Sequence, residues 1–172
     1  MGRPILMLVL LTLLIAVALA LVTLSVGQDR LLAAVLGPGN DTPVDLENLK
    51  RSGKPNDYLA CPEGFGTVEP DEISPLFDIP ASRLTEEWLA VIAHQPRTLQ
   101  LDSSISGQLE FEQRSRFFRF PDLISVRFIP NGENESSVAI YSRSRYGYSD
   151  LGVNRERVRS WLKALRDRLT DE

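Results

Sequence analysis

An uncharged apolar run near the N-terminus constrains this chain more than any other feature. It extends from Ile5 to Val26 and follows Met1-Gly-Arg-Pro. At about 1.5 Å per residue, a helix of this length spans roughly 33 Å, which is enough to cross the hydrocarbon core of a bilayer. The run therefore predicts a transmembrane helix, with residues 5–26 as the contact with the membrane.

A cleavable signal peptide is the alternative for the same segment. Such a peptide has a shorter apolar region, of roughly 7–15 residues, which ends at a small-x-small site. Ala18-Leu-Ala20 offers a site of this kind, but the apolar run continues beyond it. We therefore favour an uncleaved anchor over residues 1–28. Secretion after signal cleavage remains the alternative.

Charges beside the run indicate its orientation. Arg3 precedes it, whereas Asp29 and Arg30 cancel each other after it. Because positive charge is retained on the cytoplasmic side of a membrane, this arrangement predicts a cytoplasmic N-terminus and a single pass, with the remainder of the chain outside.

The net charge is -4, which argues against a nucleic-acid partner because such proteins are normally basic. The charge is uneven. Residues 29–112 carry 6 Lys/Arg and 15 Asp/Glu, whereas residues 113–172 carry 12 and 8. The two halves could simply fold against each other, so that their charges complement. Alternatively, the basic half could form a surface that binds an anionic partner.

Cys61 is the only cysteine, so an intramolecular disulfide is impossible and the fold must be stabilised by its core.

The pattern beyond the apolar run predicts a polar linker or loosely packed arm over residues 29–54 and a soluble α+β domain over residues 55–172. A helix should begin after Pro80, with Ser82 or Thr85 as its N-cap, and a basic amphipathic helix should begin at Asn154. About four antiparallel strands should lie between these helices, with both helices packed on one face of the sheet. The predicted strands are residues 98–102, 108–113, 123–129 and 137–145.

Two further segments interrupt these patterns. Residues 58–76 contain a proline or glycine every few positions, which predicts an ordered but irregular loop. Phe117 and Phe118 are adjacent within the segment that ends at Phe120, and this break in alternation predicts a bulge or a second short strand.

A long motif follows the last predicted strand. It reads Ser142-Arg-Ser-Arg-Tyr-Gly-Tyr-Ser-Asp-Leu-Gly-Val-Asn-Arg-Glu-Arg-Val158. With Pro55-Asn-Asp57, Cys61-Pro62, Ile73-Ser-Pro-Leu76 and Ser115-Arg116 before Phe120, it resembles the bacterial and plant-organelle family filed as domain of unknown function family 1499. The resemblance extends from about Pro55 to the C-terminus.

The resemblance implies an α+β fold and an envelope or organelle setting, but no established activity. Together with the apolar run and its flanking charges, an envelope setting predicts for a bacterial chain an anchor in the inner membrane and a domain in the periplasm. Many members carry a second cysteine shortly after the Cys-Pro pair. Here Gly64-Phe-Gly-Thr67 occupies that place, so no paired-thiol role carries over.

The same motif supplies the candidate binding site. Arg143 and Arg145 share one face of a strand, where their guanidiniums could bind a carboxylate or phosphate. The N-terminus of the last helix would add backbone donors for an anion. The candidate residues for an anionic small molecule, a lipid headgroup or an envelope protein are Arg143, Arg145, Tyr146, Tyr148, Asp150, Asn154 and Arg155.

A structural interpretation competes for each of these residues. Glu110 and Glu112 could pair with the arginines across the sheet, Asp150 could cap the turn, and Asn154 could cap the helix. His94 is the only histidine and lies near a helix C-terminus, which favours a structural role. Cys61 is best explained as a buried, inert thiol. No motif predicts a metal or cofactor, so we predict none.

Three hypotheses follow for the function. The first is a membrane-anchored, non-catalytic binding or accessory domain. The second is a small envelope enzyme with an acid–base site near Asp122, Asp150 and the arginines. The third is a purely structural domain in which the arginines are satisfied internally. An enzyme requires a concave pocket with perturbed carboxylates, which distinguishes the second hypothesis from the others.

Overall fold

The computed structural model describes residues 2–170, so Met1 of the predicted anchor and residues 171–172 of the predicted domain lie outside it. The chain divides into two compact units, Met1–Gly39 and Asn40–Glu172. In the first unit, α1 (Arg3–Val26) and α2 (Gln28–Leu36) are separated by Gly27, whose φ is +82°. Among the described residues, α1 alone is long and apolar enough to cross a membrane, with a mean hydropathy of 2.9 over Pro4–Leu21. A signal sequence has the same properties.

The second unit is an α+β domain, as the sequence predicted, and its strands form one six-stranded sheet. Its elements are β1 (Asp57–Cys61), β2 (Glu72–Ile73), α3 (Ala81–Ala93), β3 (Thr98–Leu101), β4 (Gln108–Arg114), β5 (Pro121–Pro130), β6 (Ser136–Ser144) and α4 (Val153–Thr170). The strand order is β2-β1-β6-β5-β4-β3. The β1–β2 pair is parallel and the other pairs are antiparallel.

The four predicted strands correspond to β3–β6, but the sheet is mixed and larger than predicted. The interpretation of residues 58–76 as an irregular loop was wrong for β1 and β2. The residues from Tyr58 to Cys61 are all buried, because β1 pairs with β6 and both of its faces are covered. A strand buried on both faces shows no alternation of apolar and polar residues, so its pattern does not reveal it.

Both helices pack on the same face of the sheet, as predicted. The Trp88 and Trp161 rings meet edge to face with their centroids 5.8 Å apart. Around them lie the apolar stripes of α3 and α4 and the inward side chains of the sheet. The largest buried contributors are Leu84, Trp88, Phe111, Ile124, Val126, Val138, Ile140, Val158, Trp161, Leu162 and Leu165.

The opposite face of the sheet is covered by the segment that precedes β1, residues 40–56, which we call the arm. Leu46 and Leu49 are each only 2 % exposed and belong to a second core cluster with Leu59 and Tyr141. Gly66 lies against this segment: a Cβ there would come within 3.0 Å of the Leu46 carbonyl oxygen. The boundary between the two units at Gly39 therefore differs from the predicted boundary after residue 54. The packing of the arm on the sheet was not predicted, because two leucines in an otherwise polar stretch give only a weak sequence signal for a buried segment.

Two local predictions were also wrong. The N-cap of α3 is Pro80 rather than Ser82 or Thr85, and the Thr85 hydroxyl donates to the Ala81 carbonyl oxygen within the helix. Residues 115–120 form the turn between β4 and β5 rather than a bulge or a strand, so the adjacent phenylalanines Phe117 and Phe118 lie outside the sheet.

The packing of the arm predicts that Leu46→Ala destabilises the domain by about 2–4 kcal/mol, because it removes buried methyl groups and leaves a cavity. Leu99→Ala is the matched control, since Leu99 is 62 % exposed on β3, and it should change stability by less than about 0.5 kcal/mol. Urea unfolding of both variants measures the effect. Equal midpoints for Leu46→Ala and the unsubstituted chain would show that the arm does not contribute to the core.

Candidate functional site

Arg143 and Arg145 point toward the arm. Along β6, Val138 and Ile140 belong to the helix-side core, whereas Tyr141 belongs to the cluster beneath the arm. Because side chains alternate along a strand, Arg143 lies on the face opposite Val138 and Ile140, as predicted, and this face is the arm side. The Arg145 guanidinium lies 5.5 Å from the centroid of the Tyr146 ring.

Asp150, Asn154 and Arg155 lie on the helix side, so the predicted constellation is divided between the two sides of the sheet. The Asp150 carboxylate accepts hydrogen bonds from the backbone N–H groups of Gly152 and Asn154, at 3.0 and 2.7 Å. Asp150, rather than Asn154, therefore caps the start of α4. Arg155 lies over the Tyr58 ring, with 5.8 Å to its centroid.

Asn154 is fully buried and bridges the helix to the sheet. Its Oδ1 accepts from the Ser142 hydroxyl at 2.6 Å, and its Nδ2 donates to the Asn56 carbonyl oxygen at 2.9 Å. The remaining predicted residue, Tyr148, is 71 % exposed in the loop before α4. These positions fit the structural interpretation of the motif better than a single site on one surface.

Arg157, which the sequence analysis did not single out, occupies the centre of this network. It is 6 % exposed and donates to Asp122 Oδ2 and Gln113 Oε1, both at 2.6 Å, and to the Ser142 hydroxyl at 2.9 Å. A signal was present in the sequence, because Arg157 is four residues before Trp161 and thus on the side of α4 that carries the apolar stripe.

Asp122 is enclosed with Arg157 on the helix side. Burial raises the pKa of its carboxyl above the ordinary value, although the Arg157 charge opposes this shift. Arg143 lies on the other side of the sheet, and Asp150 is used as a cap. The structure therefore does not bring Asp122, Asp150 and the two arginines into one acid–base site.

A pocket of about 270 Å³ lies on the other side, between the arm and strands β3–β6. We call it the arm-side pocket. Its lining is Asp41, Pro43, Leu101, Asp102, Ser104, Glu110, Glu112, Leu123, Arg143 and Arg145.

Arg143 is the most unusual group in this pocket. It is 7 % exposed, and its Nη2 donates to the Thr42 carbonyl oxygen at 2.7 Å. Within residues 2–170, its buried Nε has no hydrogen-bond partner, and no carboxylate lies within ion-pairing distance of its guanidinium. Burial lowers the pKa of Arg143. A buried charge without an ion pair is costly, so this arrangement needs an explanation.

Arg145, in contrast, has acidic partners. Its Nη2 donates to Asp41 Oδ2 at 2.6 Å, and its Nη1 lies 3.9 Å from Glu112 Oε2. The expectation that Glu112 faces the arginines across the sheet is therefore confirmed for Arg145.

Glu110 lines the pocket together with Arg143. Its carboxylate accepts from the Ser125 hydroxyl at 2.8 Å and from Gln108 Nε2. Burial nevertheless raises the pKa of Glu110, against the opposing effects of these hydrogen bonds and of the Arg143 charge. The pocket thus contains a carboxyl group that is easier to protonate than a surface glutamate.

Cys61 and His94 lie outside the pocket. Cys61 is fully buried, and burial raises the pKa of its thiol to about 11, which suppresses the reactive thiolate. His94 is the C-cap of α3, where its Nδ1 lies 2.8 Å from the Ala90 carbonyl oxygen. Within residues 2–170, no group of His, Cys, Asp and Glu side chains is arranged to hold a metal ion.

The buried ion pair predicts a strongly non-additive double-mutant cycle. Arg157→Met should destabilise the domain by about 3–5 kcal/mol, because it leaves the Asp122 carboxylate buried and unpaired. Adding Asp122→Leu to Arg157→Met should recover part of this loss, because the unpaired charge is removed. Chemical unfolding of the single and double variants measures the coupling, and additive losses would contradict the pairing.

The raised pKa of Glu110 predicts a pH-dependent effect of Glu110→Gln. As the pH rises through the ordinary glutamate range, the unfolded chain loses this proton first, so the free energy of unfolding of the natural chain falls until the pH exceeds the folded-state pKa. Glutamine does not ionise, so the free energy of unfolding of the Glu110→Gln variant does not show this decrease. The stability of the variant relative to the natural chain should therefore increase from acidic to neutral pH in unfolding titrations, and a constant difference would contradict the shift.

Comparison with known proteins identifies the family but no activity. An uncharacterised protein from Rhizobium leguminosarum is similar in structure, with 15 % identity, a TM-score of 0.42, and coverage of 58 % of this chain and 93 % of its own. A protein from Thermus thermophilus has 11 % identity, a TM-score of 0.34, and coverage of 67 % and 97 %. No curated protein matches the chain. The family described as "Protein of unknown function (DUF1499)" matches residues 44–165, and the chain belongs to this family.

Proposed function

We propose that this chain is a membrane-anchored envelope protein whose domain binds a small zwitterionic molecule in the arm-side pocket. The observation that carries the proposal is Arg143, a buried arginine with an unpartnered Nε that lines the pocket. An anionic group of a ligand would supply the missing partner through a charge-assisted hydrogen bond.

The other charges of the pocket favour a zwitterion over a simple anion. Four carboxylates line it, Asp41, Asp102, Glu110 and Glu112, against two arginines. A free anion would be repelled by this excess of negative charge, whereas a ligand with an adjacent ammonium group would satisfy both signs. A volume of about 270 Å³ suits a molecule of the size of a phospholipid headgroup.

The proposed location is a bacterial inner membrane, with the N-terminus in the cytoplasm and the domain in the periplasm. Its support is the apolar helix α1, with Arg3 before the span and cancelling charges after it. Secretion to the periplasm after signal cleavage is the alternative for the same helix.

The binding proposal and the purely structural hypothesis predict opposite effects of Arg143→Met. If Arg143 serves a ligand, the apolar substitution removes an uncompensated buried charge and raises the free energy of unfolding by about 0.5–2 kcal/mol. If Arg143 holds the fold together, the same substitution lowers it. Arg127→Met is the matched control, because Arg127 lies on the same side of the sheet but is paired with Glu47 at 3.1 Å.

Ligand binding itself is tested by calorimetry with phosphoethanolamine, inorganic phosphate and ethanolamine as probes. We expect phosphoethanolamine to bind and the two fragments to bind at least about tenfold more weakly. Arg143→Met should abolish this binding, whereas Arg127→Met should retain it. Native mass spectrometry of the full chain, purified gently from its own membranes, would identify a natural occupant. An empty natural protein, with a destabilised Arg143→Met variant, would overturn the proposal.

A further inference from the structure

The polypeptide joins the second unit at one particular end of the sheet. The Asn40 N–H donates to the Arg145 carbonyl oxygen at 2.9 Å, and the Arg145 N–H donates to the Pro121 carbonyl oxygen at 3.2 Å. This end, which we call the proximal end, also carries two loops: residues 115–120 between β4 and β5, and residues 145–152 between β6 and α4. The segment that follows the apolar N-terminal unit and these two loops therefore lie together.

Large apolar side chains project from both loops at the proximal end. Phe117 is 81 % exposed, Phe118 is 72 % exposed, and Leu151 is 95 % exposed. Leu151 adopts a φ of +56°, a conformation that leucine rarely adopts. Single exposed apolar residues are normal, but a group of them at one end of a domain marks an interaction surface.

Arginines are interleaved with these apolar side chains. Arg116 lies over the Phe117 ring, 5.4 Å from its centroid, and Arg119 follows in the same loop. Within residues 2–170, no acidic side chain lies within ion-pairing distance of Arg116 or Arg119. The nearby acids have other roles, since Asp41 is paired with Arg145 and Asp150 caps α4.

The hairpin turns at the distal end of the sheet have the opposite character. They are residues 102–107 between β3 and β4 and residues 131–135 between β5 and β6. They contain Asp102, Glu133 and Glu135 but no aromatic residue and no Lys or Arg. The loop after β1, residues 62–71, also lies at this end, and its aromatic residue, Phe65, packs partly buried against the cluster beneath the arm. Exposed aromatic and basic side chains therefore coincide in the loops of the proximal end, whereas the distal hairpin turns carry acidic side chains.

We propose that the proximal end docks on an anionic lipid bilayer, with Phe117, Phe118 and Leu151 in the interface and Arg116 and Arg119 against lipid phosphates. Apolar side chains flanked by arginines are the composition that binds such interfaces, because burial of the rings and attraction to anionic lipids act together. This surface is distinct from the arm-side pocket and needs no occupant there.

The length of the tether supports a bilayer as the occupant, and this step rests on the proposed membrane anchoring by α1. Thirteen residues separate Val26 from Asn40, and Gln28–Leu36 among them are helical. At about 1.5 Å per helical residue and about 3.4 Å per extended residue, the connection spans at most roughly 30 Å. An anchored domain thus remains close to the bilayer, and the tether attaches at the end that carries the apolar and basic loops.

The test uses the full chain in liposomes with an environment-sensitive fluorophore on a single introduced cysteine. Phe118→Cys places the label in the proximal loop, and Glu133→Cys places the matched control in the distal turn. Cys61 is fully buried with a raised pKa and should remain unlabelled. In phosphatidylcholine bilayers that contain phosphatidylglycerol, we expect a blue shift and quenching by spin-labelled lipid at position 118 but not at position 133.

The arginine contribution is measured by adding Arg116→Gln and Arg119→Gln to the Phe118→Cys chain. Each basic residue near an anionic surface contributes about fivefold in partitioning, so the pair should shift the docking equilibrium toward water by roughly thirtyfold. Removal of phosphatidylglycerol from the bilayer should produce a comparable shift.

Flotation after an alkaline wash reports on the anchor separately from docking. A chain that floats while position 118 stays in water overturns the docking proposal and leaves the anchoring intact. A chain that does not float overturns the anchoring and removes the tether argument with it. A label that is aqueous on pure lipid but shielded in native membrane vesicles would assign the surface to a protein partner and overturn the lipid proposal.

Discussion

The buried guanidinium of Arg157 joins the last helix to the sheet, and the arrangement of the proximal end depends on it. Its donors reach Gln113 on β4, Asp122 on β5 and Ser142 on β6, so one side chain connects three neighbouring strands. Asn154 extends the connection to the residue before β1 through the Asn56 carbonyl oxygen. Because each of these groups is buried, a lost partner would leave polar atoms unsatisfied, which fixes the position of α4 closely.

The two faces of the sheet are covered in different ways, and this difference creates the pocket. On the helix side, two amphipathic helices exclude water from a continuous apolar core. On the other side, the arm contributes a smaller cluster around Leu46, Leu49 and Tyr141. Beyond that cluster, the sheet presents Glu110 and Arg143, which the arm covers only in part. This incomplete cover leaves a polar, partly closed pocket. The pKa values of Glu110 and Arg143 are shifted because both groups are removed from water and their hydrogen bonds and nearby charges do not fully offset the burial.

The long motif after β6 combines structural and exposed positions. Asp150 and Asn154 serve the cap and the helix–sheet junction, so their side chains are committed within the fold. Tyr148, before Asp150, and Leu151, between Asp150 and Asn154, are exposed. The same stretch of sequence therefore fixes the loop between β6 and α4 and places exposed side chains on it. Because the loop is held at both ends, these side chains have defined positions at the surface.

The length of the apolar run determined the N-terminal helix. Periodicity in the sequence determined the two amphipathic helices and strands β3–β6, because apolar residues recur in each of these elements at helix or strand spacing. The family motif determined the family. Only the tertiary structure decided that β1 completes the sheet, since a strand buried on both faces has no alternation, and that the arm packs on the sheet, since two leucines carry little signal. It also divided the predicted binding residues, because a strand places alternate side chains on opposite faces whereas the following helix packs on only one. The partnerless Nε of Arg143 and the central position of Arg157 depend on neighbours from distant parts of the chain, so local sequence could not specify them.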